Sequence, residues 1–164
     1  MESWDIYNKN LMPSGRTFSE GITLKDDELS YIVHIIIRNS EGKYLLQQRA
    51  LTKKYYPGLW DATCGKVQAG ETGLEAAVRE VREELGIIAV PCQYNLFFHG
   101  IYSNKIVLDM FLLETEKQTK DLILQKSEVE NAKYYSFDEM IETLKPNKNS
   151  LYMDVLEKIE KARG

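Results

Sequence analysis

The stretch that most constrains this chain is residues 65–87, GKVQAGETGLEAAVREVREELGI. Thr72 and Glu75 stand at the spacing at which each side chain satisfies the other's backbone N–H at a helix start. Gly86 falls where a helix ends, because glycine takes up the left-handed conformation that closes the last turn without steric penalty. Between these signals Leu74, Ala77, Val78, Val81 and Leu85 recur at helical spacing. The pattern predicts an amphipathic helix over residues 73–85 whose apolar stripe needs a sheet or other helices to cover it.

The flanking sequence supplies a sheet. Tyr31 to Arg38 is β-branched and almost wholly apolar, the pattern of a strand buried on both faces. NSEG then turns the chain into KYLLQQR, giving a hairpin. YYPG is a turn, and residues 60–67 read as a short strand entering a loop bounded by Gly65 and Gly70. Strand-like runs follow at 94–102 and 105–114, then a charged loop over about 115–131 and a short strand, AKYYSF. Helices are expected at 137–144 and 149–162, and residues 1–30 read as an irregular N-terminal extension. The resulting expectation is an α/β protein of α+β type, a mixed β-sheet sandwiched between α-helices in a single domain over 1–164.

Charge and length narrow the function classes. At 164 residues the chain suits one domain with a real core. Its 28% charged and 43% hydrophobic residues fit a globular protein, neither a disordered nor a membrane one. A formal net charge of −4, with no block of Lys and Arg, gives no face for gripping nucleic acid. The N-terminus MESWDIYNKN lacks a leader pattern, and the apolar run YIVHIII is too short to span a membrane. Only Cys64 and Cys92 are present, too few for a disulfide framework, which suits a reducing, cytoplasmic setting.

REVREE places Glu80 and Glu84 one above the other on the predicted helix, with Glu83 on an adjoining line. Like charges at this spacing repel, so the arrangement asks for a cation, and a hard divalent ion such as Mg²⁺ takes oxygen ligands. The three carboxylates are therefore expected to converge on one point. Arg79 stands beside them, and Glu71 can hold Arg79 by bidentate pairing. Taken alone, a glutamate-rich helix face is more often solvated surface.

The whole string carries more weight than the helix. Gly65, five residues, Glu71, seven residues, then Arg79 through Ile87 resembles the Nudix box at every fixed position. The resemblance implies an α/β/α sandwich and cleavage of a nucleoside diphosphate linked to another group. It implies that Glu80, Glu83 and Glu84, with the Gly65 carbonyl, ligate Mg²⁺ or Mn²⁺, and that Arg79 and Glu71 orient them. It also implies a small-molecule diphosphate substrate and the dimerisation common among family members. Proteins with this box cleave nucleoside triphosphates, nucleotide sugars, dinucleotides and coenzymes, so the box leaves the substrate open.

RALTKKYYPGLWDATCGKVQAGET also resembles the isopentenyl-diphosphate isomerase branch of the superfamily, which implies an alternative role for Cys64 as acid or base on a carbon skeleton. Three departures count against it. Lys66 stands where the isomerases have a metal-binding histidine, LKDDELSY lacks their other histidine ligands, and the box is the intact hydrolase version. Asp109 lies near the position expected for their second carboxylate, but Val107 offers no companion. A third alternative, outside catalysis, is a module that binds a nucleotide without turning it over.

Arg49 is a candidate phosphate contact, and Lys53, Lys54 and Lys66 can add to it. Trp60, Tyr55 and Tyr56 can wall a substrate pocket or serve as core and rim aromatics. No general base stands in the box itself; Glu128 and Glu130, or Glu114 and Glu116, are candidates from the charged loop. His34 reads as a satisfied strand histidine, and His99 as one that can approach the site from a neighbouring strand.

Overall fold

The computed structural model describes residues 1–163. Its strands are β1 (Trp4–Tyr7), β2 (Pro13–Phe18), β3 (Ser30–Arg38), β4 (Tyr44–Arg49), β5 (Trp60–Asp61), β6 (Thr63–Lys66), β7 (Tyr94–Tyr102), β8 (Ile106–Glu114) and β9 (Val129–Tyr135). The helices are α1 (Gly73–Leu85), α2 (Phe137–Leu144) and α3 (Ser150–Lys161). Within the main sheet the order is β5-β4-β3-β8-β7, with β6 also pairing β3 and β9 pairing β4. β3 and β8 run parallel over their full length and the other pairs are antiparallel, so the sheet is mixed.

Both faces of the sheet are covered, which is why β3 and β8 are apolar along most of their length, interrupted by His34 and Asp109. Tyr31, Val33, Ile35, Ile37, Val107 and Phe111 pack under α1, against Ala76, Ala77, Val81 and Leu85. Ile36, Leu108, Met110 and Leu112 face the other way, onto Met140 and Leu144 of α2 and Tyr152, Val155, Leu156 and Ile159 of α3. The expected sandwich of a mixed sheet between helical layers is the architecture found.

Some expected boundaries shift. The hairpin β3–β4 is paired only at Ile37–Leu45 and Arg38–Tyr44, because β6 occupies the rest of that edge of β3, from Ile32 to Ile35. The sheet therefore forks there, and the fork lies under α1. The final strand begins at Val129, earlier than expected, with its first residue fully buried. Residues 1–30 are not wholly irregular: β1 and β2 form a hairpin with its own small cluster of Trp4, Ile6 and Phe18. The signal for it was short, an in–out alternation confined to WDIY, and β2 buries only Phe18.

Candidate active site

α1 forms where its capping signals lie. Thr72 accepts from the Glu75 N–H and Glu75 accepts from the Thr72 N–H, while Gly86 closes the helix in the left-handed conformation at φ 67°. The helix crosses the fork in the sheet with Glu80 directly over Gly65 of β6. A Cβ on Gly65 would meet the Glu80 carboxyl carbon at 2.1 Å, so only glycine lets that side chain settle there.

Arg79 organises the entrance. Its Nε and Nη2 donate to the two oxygens of Glu71, each at 2.9 Å, and Nη2 also donates to the Lys66 carbonyl at 3.0 Å. Nη1 donates to Glu80 at 2.6 Å and, at 3.4 Å, to Glu83. Burial disfavours the guanidinium charge, but Glu71 and Glu80 outweigh it and raise the Arg79 pKa. Glu71 accepts in addition from the Gln68 N–H, which ties the loop before α1 to the same pair.

Glu84 lies deeper. It accepts from Gln47 Nε2 of β4 at 2.6 Å, and the other end of that amide accepts from the Thr63 hydroxyl of β6 at 2.9 Å. Burial pushes the Glu84 pKa up to about 8, with Glu80 and Glu128 adding to the rise and Gln47 and Arg49 opposing it. Burial likewise lifts Glu80 to about 7, against the pull of Arg79. Glu83 is the exposed member of the three.

The expected convergence on one point is not what these side chains adopt. Among the described residues no three His, Cys, Asp or Glu side chains meet at metal-ligand spacing. Glu80 is drawn to Arg79 and Glu84 to Gln47, so each carboxylate is compensated by a different neighbour. The donor set still suits a hard cation. It comprises carboxylate oxygens on one face of α1, over a glycine cradle, and burial raises the pKa of two of the carboxylates, Glu80 to about 7 and Glu84 to about 8.

Two loops border this face. Gln125 N–H donates to the Glu84 carbonyl and Ile123 N–H to that of Leu85, which docks the charged loop on the end of α1 and brings Glu128 within electrostatic reach of Glu84. Glu128 pairs with Lys53 at 2.8 Å and its carbonyl accepts from the Ala50 N–H, joining this loop to residues 50–59. Arg49, near enough to Glu84 to lower its pKa, donates from Nε to the Tyr55 carbonyl at 2.7 Å. Tyr55 and Tyr56 are exposed, and Tyr56 stands at φ 52°, an unusual backbone state for an aromatic residue.

Other expected residues are engaged elsewhere. Lys66 lies over the Trp4 ring at 4.0 Å and beside Phe18, in the N-terminal hairpin rather than among the α1 carboxylates. Trp60 packs edge-on to Tyr135 on the α2–α3 side. Glu114 binds Arg38 and Glu116 binds Ser40, away from α1's carboxylates; Glu130 is exposed on β9. His34 is bonded to Tyr152 at 2.8 Å and burial drops its pKa to about 4. His99 pairs with Asp109, which also accepts from Tyr31 at 2.6 Å, under the first turn of α1 at Gly73.

Cys64 faces away from α1. It is opposite His34, which is opposite Met110, whereas Gly65, Val33 and Asp109 form the adjacent row. Adjacent rows of a sheet point to opposite faces. Cys64 and Asp109 therefore do not share a pocket, and burial, followed by the Asp61 charge, pushes the thiol pKa up.

The sequence did not single out Gln47 and Thr63. Their signal was a polar residue at each of two inward strand positions otherwise filled with Leu45 and Ile35.

A family model described as NUDIX domain matches residues 29–155. An uncharacterized Nudix hydrolase of Listeria monocytogenes is 34% identical over 145 residues, 85% of this chain and 83% of the relative. The isopentenyl-diphosphate Delta-isomerase of Corynebacterium diphtheriae is 37% identical over 76 residues, 46% of this chain and 42% of the isomerase. Among solved structures, DR0079 from Deinococcus radiodurans superposes with a TM-score of 0.77 at 19% identity, covering 95% of this chain and 98% of that one, a likeness of fold. Among the described residues no helix is long and apolar enough to cross a membrane.

Proposed function

The chain belongs to the Nudix hydrolase family, and on that premise we propose that it cleaves a diphosphate linkage in a nucleoside diphosphate derivative or related organic pyrophosphate, with Mg²⁺ or Mn²⁺ as cofactor. The observation that carries this reading is the placing of Glu80 over Gly65 with Glu84 buried beside it, two carboxylates whose burial raises their pKa values.

In this reading Glu80, Glu83, Glu84 and the Gly65 carbonyl hold the cation. A divalent cation so held supplies Lewis acidity toward a phosphoryl oxygen and makes a bound water more acidic. The chain's own residues do the rest. Arg79, clamped by Glu71, fixes the direction of Glu80 and offsets charge at the entrance. Arg49, near enough to Glu84 to lower its pKa, presents positive charge to a diphosphate, while Lys53 pairs with Glu128. Glu128, within electrostatic reach of Glu84 and paired with Lys53, is the loop carboxylate this reading assigns to take a proton from water. Tyr55 and Tyr56, exposed on the bordering loop, offer faces for the organic part of the substrate.

A second reading, isomerisation of an isoprenoid diphosphate through Cys64, is favoured by the partial likeness to the Corynebacterium enzyme. The opposed facing of Cys64 and Asp109 weighs against it.

The test is a Mg²⁺-dependent screen over nucleoside di- and triphosphates, nucleotide sugars, dinucleotides and isopentenyl diphosphate, with products identified by mass. Phosphate-ester products from one nucleotide class, abolished in Glu83→Gln and Glu84→Gln, are the expected result. Isopentenyl diphosphate converted without loss of phosphate would support the isomerase, and tight binding without turnover a nucleotide-binding module.

A further inference from the structure

Thr63, Gln47 and Glu84 form an unbroken buried chain between the two strands at the fork and α1. The Thr63 hydroxyl donates to Gln47 Oε1 at 2.9 Å, and Gln47 Nε2 donates to Glu84 Oε2 at 2.6 Å. Their exposures are 1%, 8% and 7%. The chain interrupts an apolar layer: Leu45 precedes Gln47 on the same face of β4, and Ile35 lies opposite Thr63. Polar groups in such a layer are tolerated only when fully hydrogen-bonded, and an apolar trio of similar volume would pack there at no such demand. Their presence calls for a task that an apolar trio cannot do.

We propose that Gln47 is a positioning residue for Glu84, and that Thr63 anchors the far end of the Gln47 amide. The proposal rests on the reading of Glu84 as a cation ligand. An ionised carboxylate only accepts hydrogen bonds, whereas a glutamine side chain has a donor end and an acceptor end. The carboxylate takes the donor end, and the Thr63 hydroxyl donates to the acceptor end that remains. The bond from Gln47 engages Oε2 and leaves Oε1 for the cation. Without the hydroxyl the far end of the amide loses its anchor, so Gln47 can pivot about its side-chain torsions and carry the carboxylate out of line. Hydrogen-bond partners of this kind behind a metal ligand contribute about 10–100-fold to metal affinity or activity.

Thr63→Val preserves the shape and β-branching of the side chain and removes only the hydroxyl; Thr63→Ser restores it. Mn²⁺ affinity is measured by calorimetric titration on the whole purified chain, alongside Gln47→Leu and Glu84→Gln, with thermal melting as the check on folding. Thr63→Val and Gln47→Leu are expected to weaken Mn²⁺ binding by about tenfold or more, Thr63→Ser to bind as the parent does, and Glu84→Gln to bind weakest. If Glu84→Gln loses Mn²⁺ while Thr63→Val and Gln47→Leu bind it normally, the positioning role is overturned and the ligand reading stands. If Thr63→Ser loses as much as Thr63→Val, the hydroxyl is not the operative group and the proposal is likewise overturned. If Glu84→Gln binds Mn²⁺ normally, the ligand reading itself fails. Should Gln47→Leu not fold, the Thr63 pair decides.

Discussion

Gly65 and Glu80 approach so closely that a methyl group on the glycine would stand 2.1 Å from the carboxyl carbon of the glutamate. The atoms in the way are the far end of a flexible side chain, so Gly65→Ala can be accommodated by swinging Glu80 aside, with the backbone undisturbed. The expected outcome is a selective loss: activity falls by about a hundredfold, the scale of an ångström-sized misplacement, while the melting temperature without metal changes little. Steady-state kinetics beside thermal melting checks this. A variant that keeps full activity would mean that the Glu80 carboxylate need not lie over Gly65.

What was legible in the sequence follows from the range of the interactions involved. Thr72, Glu75 and Gly86 bound α1 through contacts within a few residues, and their spacing alone delimits the helix that the structure contains. The pairing of Arg79 with Glu71 is also near in sequence, and its geometry matches the expected one. Gln47 and Lys53 were not legible in the same way. Gln47 reaches Glu84 across 37 positions and Lys53 reaches Glu128 across 75, so neither meeting exists until the sheet forks and the charged loop docks. The N-terminal hairpin was missed because its apolar content is Trp4, Ile6 and Phe18, spread over two strands too short to show a period. Lys66 illustrates the converse: its place in the motif suggested phosphate, but the same hairpin offers it two aromatic faces.

Arg79 donates to Glu71, Glu80, Glu83 and the Lys66 carbonyl at once, a set that depends on a planar fork. Arg79→Lys keeps the charge and loses the bidentate geometry. It is expected to lower kcat more than it raises KM, and to destabilise the fold by about 1–3 kcal/mol through acceptors left short of donors. Urea unfolding and the separate kinetic constants check this. A lysine variant with parental kinetics would show that charge alone suffices.

The raised glutamates make stability depend on pH in a defined direction. An unfolded glutamate titrates at about 4.3, whereas burial holds folded Glu80 protonated up to about 7 and Glu84 up to about 8. Below the unfolded value both states carry the proton and nothing changes. Between there and about 8 the unfolded chain gives up protons that the folded chain keeps, so the contribution of these two glutamates to metal-free stability falls as pH rises and levels off above this window, opposed at its acid end by buried His34, whose pKa is lowered to about 4. Mg²⁺ requires the ionised carboxylates, so it should raise the melting temperature more at the alkaline end of the window than at the acid end, with proton release on binding. Melting curves across this range, with EDTA and with Mg²⁺, test both signs. A Mg²⁺ effect independent of pH would exclude Glu80 and Glu84 as the coupled groups.

Cys64 provides the sharpest separation between the two catalytic readings. It precedes Gly65 on the same short strand, so one residue of difference sends its side chain to the α2–α3 side while the cradle for Glu80 opens toward α1. Burial and the Asp61 charge keep it a neutral thiol, unsuited to act as a nucleophile or a ready base. Cys64→Ala is therefore expected to retain the Mg²⁺-dependent release of phosphate products, with at most a small loss of stability from the missing sulfur. The matching variant, Glu84→Gln, is expected to lose that release while leaving Cys64 intact. Assayed side by side on the substrate found in the screen, the opposite pattern, activity lost with the thiol and kept without the carboxylate, would move the chemistry to the other face of the sheet.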